Sequence, residues 1–160
     1  MDDSHILMLR NLATAFRVAI ETTRAERLPG ALPYFPEGAC RMTSRLLAQY
    51  LSRRIDDEVF DRPQLVSGVL PDSEHAARHF WLEIDGVVVD LTADSFGEAP
   101  VVVGARTAFH QSLASPVVQD AIGAITALSA DEKARLERQL AVIESRLAQI
   151  LQRRPNERCS

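Results

Sequence analysis

The segment that decides the fold is residues 79–92, His-Phe-Trp-Leu-Glu-Ile-Asp-Gly-Val-Val-Val-Asp-Leu-Thr. Its first half, 79–84, alternates in the manner of a β-strand, and its second half, 87–92, is rich in β-branched residues. The pair Asp85-Gly86 between them is a strong signal for a two-residue turn. We therefore predict a β-hairpin in which the last residue before the turn faces the first residue after it.

This register separates the side chains of the hairpin into two different faces, because successive residues of a strand point to opposite sides. One face is wholly apolar and is expected to build the core: Phe80, Leu82, Ile84, Val87, Val89 and Leu91. The other face, which we do not expect to build the core, carries His79, Trp81, Asp90 and Thr92. His79 and Asp90 become diagonal neighbours, close enough for the carboxylate to orient the imidazole.

The rest of the chain predicts helices at both ends and strands between them. Ser4 can cap a helix over 4–28, a loop rich in proline and glycine follows over 29–38, and a second helix begins near Ala39 or Cys40. Further strands are expected at 64–70 and 101–103, Ser115-Pro116 is expected to open a helix, and Ser129 with Glu132 forms a capping box for the last one. Runs of helices and strands without βαβ alternation predict an α+β fold with an antiparallel sheet.

The composition is that of a globular protein. The chain has 160 residues, of which 46% are hydrophobic and 25% charged, with a net charge of −4. We expect a single domain over 1–160 with a core at 29–110 and helical flanks at 4–28 and 115–153. The acidic balance argues against nucleic acid as a partner. The acidic start and the lack of a long apolar stretch predict a cytoplasmic protein without a membrane partner.

The last predicted helix carries an apolar stripe at alternating spacings of four and three residues: Leu136, Leu140, Ile143, Leu147 and Ile150. The stripe lasts little more than two heptads, which favours packing on the domain over a free coiled coil. A homodimer through this helix is the alternative.

Cys40 follows Pro-Glu-Gly-Ala at the predicted start of a helix, where unpaired N–H groups and the helix dipole lower the pKa of a thiol. A thiolate is the nucleophile that acyl transfer needs. A buried cysteine that simply packs in the core is the alternative. The other cysteine, Cys159, is the penultimate residue, so the two do not form a disulfide framework and a reducing compartment is expected.

The order of Cys40 at a helix start, then His79-Phe-Trp-Leu-Glu, then Asp90-Leu-Thr-Ala-Asp-Ser-Phe96 resembles the papain-like and transglutaminase-like superfamily. The resemblance covers about residues 33 to 110. It implies a papain-like α+β fold with Cys40 as nucleophile, His79 as general base and acid, and Asp90 as the orienting group. Papain-like enzymes often carry a glutamine shortly before the cysteine as an oxyanion donor, whereas this chain has Glu37 there, so the Cys40 N–H would serve with a second donor still to be identified.

Around this triad, Trp81, Tyr34 and Phe35 are candidates to line a substrate cleft, although each could equally serve packing. Asp94 is an alternative orienting group, and His110 is expected to be a surface histidine before a helix. The spacing of His75 and His79 could suit a metal on a helix, but His79 opens a strand, so we predict no metal and no cofactor.

Taken together, these residues predict a cysteine-dependent amide hydrolase or acyltransferase, a peptidase or a protein glutamine deamidase, acting on a peptide or protein substrate. The alternative is a catalytically inactive scaffold that binds a partner through its terminal helices.

Overall fold

The structure is a computed structural model that describes residues 1–28, 30, 32–55 and 60–153. Its helices are α1 (Asp3–Thr22), α2 (Cys40–Ser52), α3 (Ala108–Ser112), α4 (Ala121–Thr126) and α5 (Ala130–Arg153). Its strands are β1 (Gln64–Val69), β2 (Arg78–Ile84), β3 (Val87–Asp90), β4 (Val102–Gly104) and β5 (Ala114–Asp120). The strands form one sheet in the order β4-β3-β2-β1-β5, and every pair is antiparallel. The predicted α+β class with an antiparallel sheet is thus confirmed.

The hairpin β2–β3 has the predicted register. Ile84 pairs with Val87 and Leu82 with Val89 across the turn. Asp85 and Gly86 both have positive φ, 49° and 76°, as the two central residues of a type I′ turn require. The second strand is shorter than predicted, because the ladder stops at Asp90 and a 3₁₀ turn follows.

The apolar face of this hairpin packs into the larger of two hydrophobic clusters, as predicted. That cluster also holds α1, α2, α4 and α5. The opposite face, which was not expected to build the core, is covered as well. There α3 and the chain around it close a smaller cluster that contains Val66, Trp81, Val88, Ala93, Val102 and Leu113. Gly68 allows this cover to come close, since a Cβ there would lie 2.5 Å from the Cβ of Leu113.

The first helix is shorter than the predicted 4–28 and has a different cap. The Asp2 carboxylate, rather than Ser4, accepts the N–H of His5. The helix ends at Thr22, where the hydroxyls of Thr22 and Thr23 bond back to carbonyls one turn earlier. Residues 25–27 then form a separate 3₁₀ turn.

The prediction of a helix that opens at Ser115-Pro116 is wrong, so the helical flank predicted over 115–153 begins only at Ala121. Residues 114–120 form β5, the edge strand next to β1, and helix returns only at Ala121. Proline is tolerated on an edge strand because its missing N–H would face solvent. The capping box before α5 is confirmed, since Glu132 N–H donates to Ser129 Oγ at 3.2 Å and Ser129 N–H to Glu132 Oε2 at 2.9 Å.

The stripe on α5 packs within the chain, chiefly against α1 and also against α2. Leu136, Leu140, Ile143 and Leu147 are all at most 6% exposed. A homodimer through this stripe therefore has no support from the structure. In the part of the chain that the structure describes, no helix is both long enough and apolar enough for a membrane span.

Candidate active site

Cys40 is the first residue of α2, as predicted, and is half-buried. The residue before it, Ala39, offers no side-chain cap, so the backbone N–H groups of the first turn keep their hydrogen-bonding capacity. Burial alone would raise the pKa of the thiol. The side chain and charge of His79 have the opposite effect, and the N–H groups of Phe80 and Arg41 add to it. Together they outweigh burial and lower the pKa of the Cys40 thiol below its ordinary value.

His79 and Asp90 lie on neighbouring strands and meet as the predicted register requires. His79 Nε2 is 2.6 Å from Asp90 Oδ2, with both side chains at most 1% exposed. An ionised carboxylate can only accept hydrogen bonds, so Nε2 carries the proton. The other ring nitrogen, Nδ1, is buried and has no hydrogen-bond partner among the described residues. Because Nε2 is engaged with Asp90, Nδ1 is the ring nitrogen available to exchange a proton with the Cys40 thiol.

The electrostatics of the pair favour its charged form. Burial lowers the pKa of His79, but its hydrogen bond and charge interaction with Asp90, together with its interaction with the nearby Cys40 thiol, raise that pKa overall, to about 9. For Asp90, burial raises the pKa, whereas hydrogen bonds from His110 and His79 and the N–H of Thr92 lower it well below the usual range. At neutral pH the imidazole is thus a cation between a carboxylate and a thiol of lowered pKa.

His110 also belongs to this site, so the prediction of a surface histidine is wrong. It lies within α3, is only 2% exposed, and its Nε2 is 3.0 Å from the same Asp90 Oδ2 that His79 contacts. Its Nδ1 lies 2.9 Å from Thr107 Oγ1, which holds the ring in place. Two imidazoles therefore converge on one carboxylate oxygen. This contact joins residues 20 positions apart, and no local pattern indicates it.

Asp94, the alternative orienting group, contacts Arg17 instead of His79. Its carboxylate forms a two-pronged contact with the guanidinium of Arg17, at 2.9 and 2.7 Å. The same guanidinium donates to the carbonyls of Leu91 and Pro100, so it ties α1 to the chain after β3. Asp94 therefore pairs with a buried arginine, and within the described residues it forms no hydrogen bond with His79.

The predicted substrate-lining residues occupy three different environments. Trp81 is 1% exposed and stacks 5.9 Å from the His79 ring, so it supports the imidazole from within the protein. Phe35 is half-buried beneath the Arg17 guanidinium, and Tyr34 is 75% exposed. Within the part of the chain that the structure describes, neither of these two forms a hydrogen bond or a ring contact with the triad.

An aromatic pair not singled out from the sequence borders the imidazole instead. Phe96 and Phe109 stack on each other at 5.0 Å, and both present an edge to His79, at 5.1 and 5.4 Å. Phe96 is 43% exposed. It closes the Asp-Leu-Thr-Ala-Asp-Ser-Phe segment that carried the resemblance, which is the one sequence signal that could have found it.

Among the described residues, the group of side chains that could hold a metal differs from the predicted His75–His79 pair. His75 is exposed, whereas one nitrogen or oxygen from each of His79, Asp90 and His110 lies within 4.8 Å of the others. Zinc needs its ligands at about 2.0–2.2 Å and, for catalysis, an open position. All three side chains are buried and already satisfy each other by hydrogen bonds at 2.6 and 3.0 Å. This geometry fits a hydrogen-bond network better than a metal centre.

Comparison with known proteins gives no assignment: no family model, curated protein or solved structure matches this chain. The class that the fold and the site define by themselves is an α+β protein with a buried Asp-His pair beside a half-buried cysteine at a helix start.

Proposed function

We propose that this protein is a cysteine-dependent amide hydrolase or acyltransferase, with Cys40 as the nucleophile, His79 as the general acid and base, and Asp90 as the orienting group. The observation that carries the proposal is the short Nε2–Oδ2 contact of 2.6 Å, which leaves the other nitrogen of a cationic imidazole for a thiol of lowered pKa. A cysteine that merely packs in the core requires none of this.

The chemistry follows from the proton positions. The Cys40 sulfur adds to the carbonyl carbon of an amide, and the oxygen takes the negative charge beside the free N–H groups at the start of α2. His79 Nδ1 gives its proton to the amide nitrogen as the C–N bond breaks, which leaves a thioester on Cys40 and releases the amine. The neutral imidazole then takes a proton from water, whose oxygen attacks the thioester carbon. The C–S bond breaks, which releases the carboxylic acid and restores the Cys40 thiolate beside the protonated imidazole.

A nucleophilic helix start followed by histidine and aspartate on adjacent antiparallel strands supports assignment as a distant papain-like or transglutaminase-like protein. The substrate proposed is a peptide or a protein side-chain amide. Hydrolysis of a backbone amide and deamidation of glutamine use the same steps and differ only in the leaving group. An amine in place of water would give transamidation.

The packing of α5 disfavours the alternative, an inactive scaffold that binds a partner through its terminal helices. The apolar face of α5 is occupied by α1 within the chain, so it is not available to a partner. Such a scaffold would also have no use for a cationic imidazole beside a thiol.

The test is acylation of Cys40 by a library of electrophilic glutamine and peptide probes, read by mass spectrometry on the intact protein and on its peptides. We expect one probe class to modify Cys40 stoichiometrically, and Cys40→Ala and His79→Ala to abolish the modification. Cys159, which lies outside the described residues, is the internal control. Labelling that does not exceed that of Cys159, or that survives His79→Ala unchanged, would refute the proposal.

A further inference from the structure

A cleft of about 200 Å³ opens beside the start of α2, between that helix and α5. Gly38 and Arg41, which lie on either side of Cys40 in the chain, both line it. Since consecutive Cα atoms are about 3.8 Å apart, the wall of the cleft begins one residue from the nucleophile. The cleft is therefore placed to receive a part of the substrate adjoining the attacked amide.

The charges in this cleft are unbalanced. It is lined by three arginines, Arg41, Arg45 and Arg135, and by one carboxylate, Glu132. Glu132 is engaged in the capping box of α5, where its Oε2 accepts the N–H of Ser129. Within the described residues, no carboxylate lies within 4 Å of any of the three guanidinium groups.

Arg45 is an arginine of this cleft whose charge and hydrogen-bond donors are only partly compensated. Its Nε is buried and has no hydrogen-bond partner among the described residues. Burial and the nearby charge of Arg41 lower the pKa of its guanidinium, so its positive charge is only partly compensated by Glu132. Arg45 as a whole is only half-buried and lines the cleft, so the positive charge of its guanidinium can attract an anion that enters the cleft.

Arg41 is held ready for the same anion. Its guanidinium lies over the ring of Phe80, 4.3 Å from the centroid. Such stacking limits the side-chain freedom that binding would otherwise cost, while the edges of the planar group stay open for hydrogen bonds. Phe80 directly follows His79 in β2, so this arginine is anchored to the strand that carries the general base.

We infer that this cleft binds a carboxylate of the substrate, and that the preferred substrate is an acidic peptide in which the carboxylate lies one or two residues from the amide at Cys40. The inference rests on the proposed function and adds its substrate class. The carboxylate can belong to an Asp or Glu side chain or to the C-terminus of the peptide, since both present the same two oxygens to a guanidinium.

The experiment compares three peptides of equal length with the same internal electrophile, measured by the rate of Cys40 labelling. The first carries Glu beside the electrophile and an amidated C-terminus, the second Gln and an amidated C-terminus, and the third Gln and a free C-terminus. We expect the first or the third to react about tenfold faster than the second, which also shows the source of the carboxylate. Arg45→Gln and Arg41→Gln should each remove most of this advantage.

Arg54→Gln is the matched control, because Arg54 follows the other end of α2 and stacks on Tyr50 in the same manner, at 4.7 Å. It should leave the preference unchanged. Arg45→Glu should reverse the preference towards a Lys-containing peptide. Equal rates for all three peptides on a reactive Cys40 would overturn the cleft assignment and leave the proposed function standing. Failure of every peptide to label Cys40 above Cys159 would overturn both.

Discussion

The two faces of the β2–β3 hairpin are both buried, yet they are built by different rules. The first face holds only aliphatic and aromatic side chains, from Phe80 to Leu91, and contributes through apolar area removed from water. The second face buries His79, Asp90 and Thr92 among aromatic rings and pairs their polar atoms with each other. Burial of charge is tolerated there because each partner compensates the next.

We therefore expect the first face to determine mainly the stability of the fold and the second face mainly the reactivity of the site. Loss of volume on the first face should cost folding free energy and leave the chemistry of the surviving folded protein intact. Loss of a single polar atom on the second face should change reactivity far more than stability. Nδ1 of His79, which has no hydrogen-bond partner among the described residues, is the atom that the proposed chemistry uses.

The largest effect should come from the second face. Asp90→Asn keeps the shape but replaces an acceptor of two imidazole N–H groups with a group that can present an N–H instead. The imidazole then loses both its tautomer and its positive charge. We expect turnover to fall by about 10³-fold or more in steady-state assays, with the fold retained by circular dichroism.

Asp94→Asn is the matched control for that change, since Asp94 is the same residue type four positions on and contacts Arg17 instead. It should lower the melting temperature, with kcat nearly unchanged. Similar losses of turnover in both variants would contradict the separation between the orienting aspartate and the structural one.

On the first face, Leu82→Ala should destabilise the protein by about 2–5 kcal/mol, because Leu82 is fully buried at the centre of the sheet. Denaturant unfolding measures this loss. Below the lowered unfolding midpoint, kcat should stay within about twofold of the parent protein. A catalytic defect as large as that of Asp90→Asn would show that the two faces are not separable.

The pH dependence should reflect the raised pKa of His79. The pKa of His79 is higher in the folded protein than in the unfolded chain, where it is near 6.5. The protonated imidazole therefore stabilises the fold fully below about pH 6.5, and this contribution is lost as the pH rises through about 9. kcat/KM should therefore fall above about pH 9 as the imidazolium disappears. A limb near pH 6.5 in the parent protein would mean that Asp90 does not stabilise the cation.

Among the substitutions that change the hydrogen bonds of Asp90, the smaller effect should follow from His110. His110→Phe retains ring contacts with Trp81 and Phe109 but removes one of the two imidazole donors to Asp90. We expect about a tenfold loss in kcat/KM, with the alkaline limb displaced from its parent position. His110→Gln places an N–H where Nε2 lay and should restore most of the activity, which a purely steric role of the ring would not predict.

Local sequence patterns predicted the parts of this site that depend on local rules. The turn at Asp85-Gly86 determines which residues of the hairpin share a face, and this was sufficient to place His79 beside Asp90. The start of α2 at Cys40 and the capping box of α5 are likewise local. The papain-like assignment is a proposal, because the order of helices and strands does not by itself define a superfamily.

The errors arise where distant parts of the chain decide the structure. Ser115-Pro116 satisfies the rules for a helix start, but pairing with β1, about 50 residues earlier, makes the segment an edge strand. His110 reads as a surface residue until α3 is folded over the sheet. The cover that α3 provides also explains why the second face is buried rather than open.

The most direct test is the pH dependence of Cys40 alkylation by iodoacetamide, followed residue by residue with mass spectrometry in the parent protein and in His79→Ala. Cys40 should react at mildly acidic pH, where Cys159 remains largely a thiol, and His79→Ala should move its reactivity to the alkaline range of an ordinary cysteine. If Cys40 and Cys159 titrate together in the parent protein, or if His79→Ala leaves the Cys40 profile unchanged, then the thiol and the imidazole do not form a reactive pair.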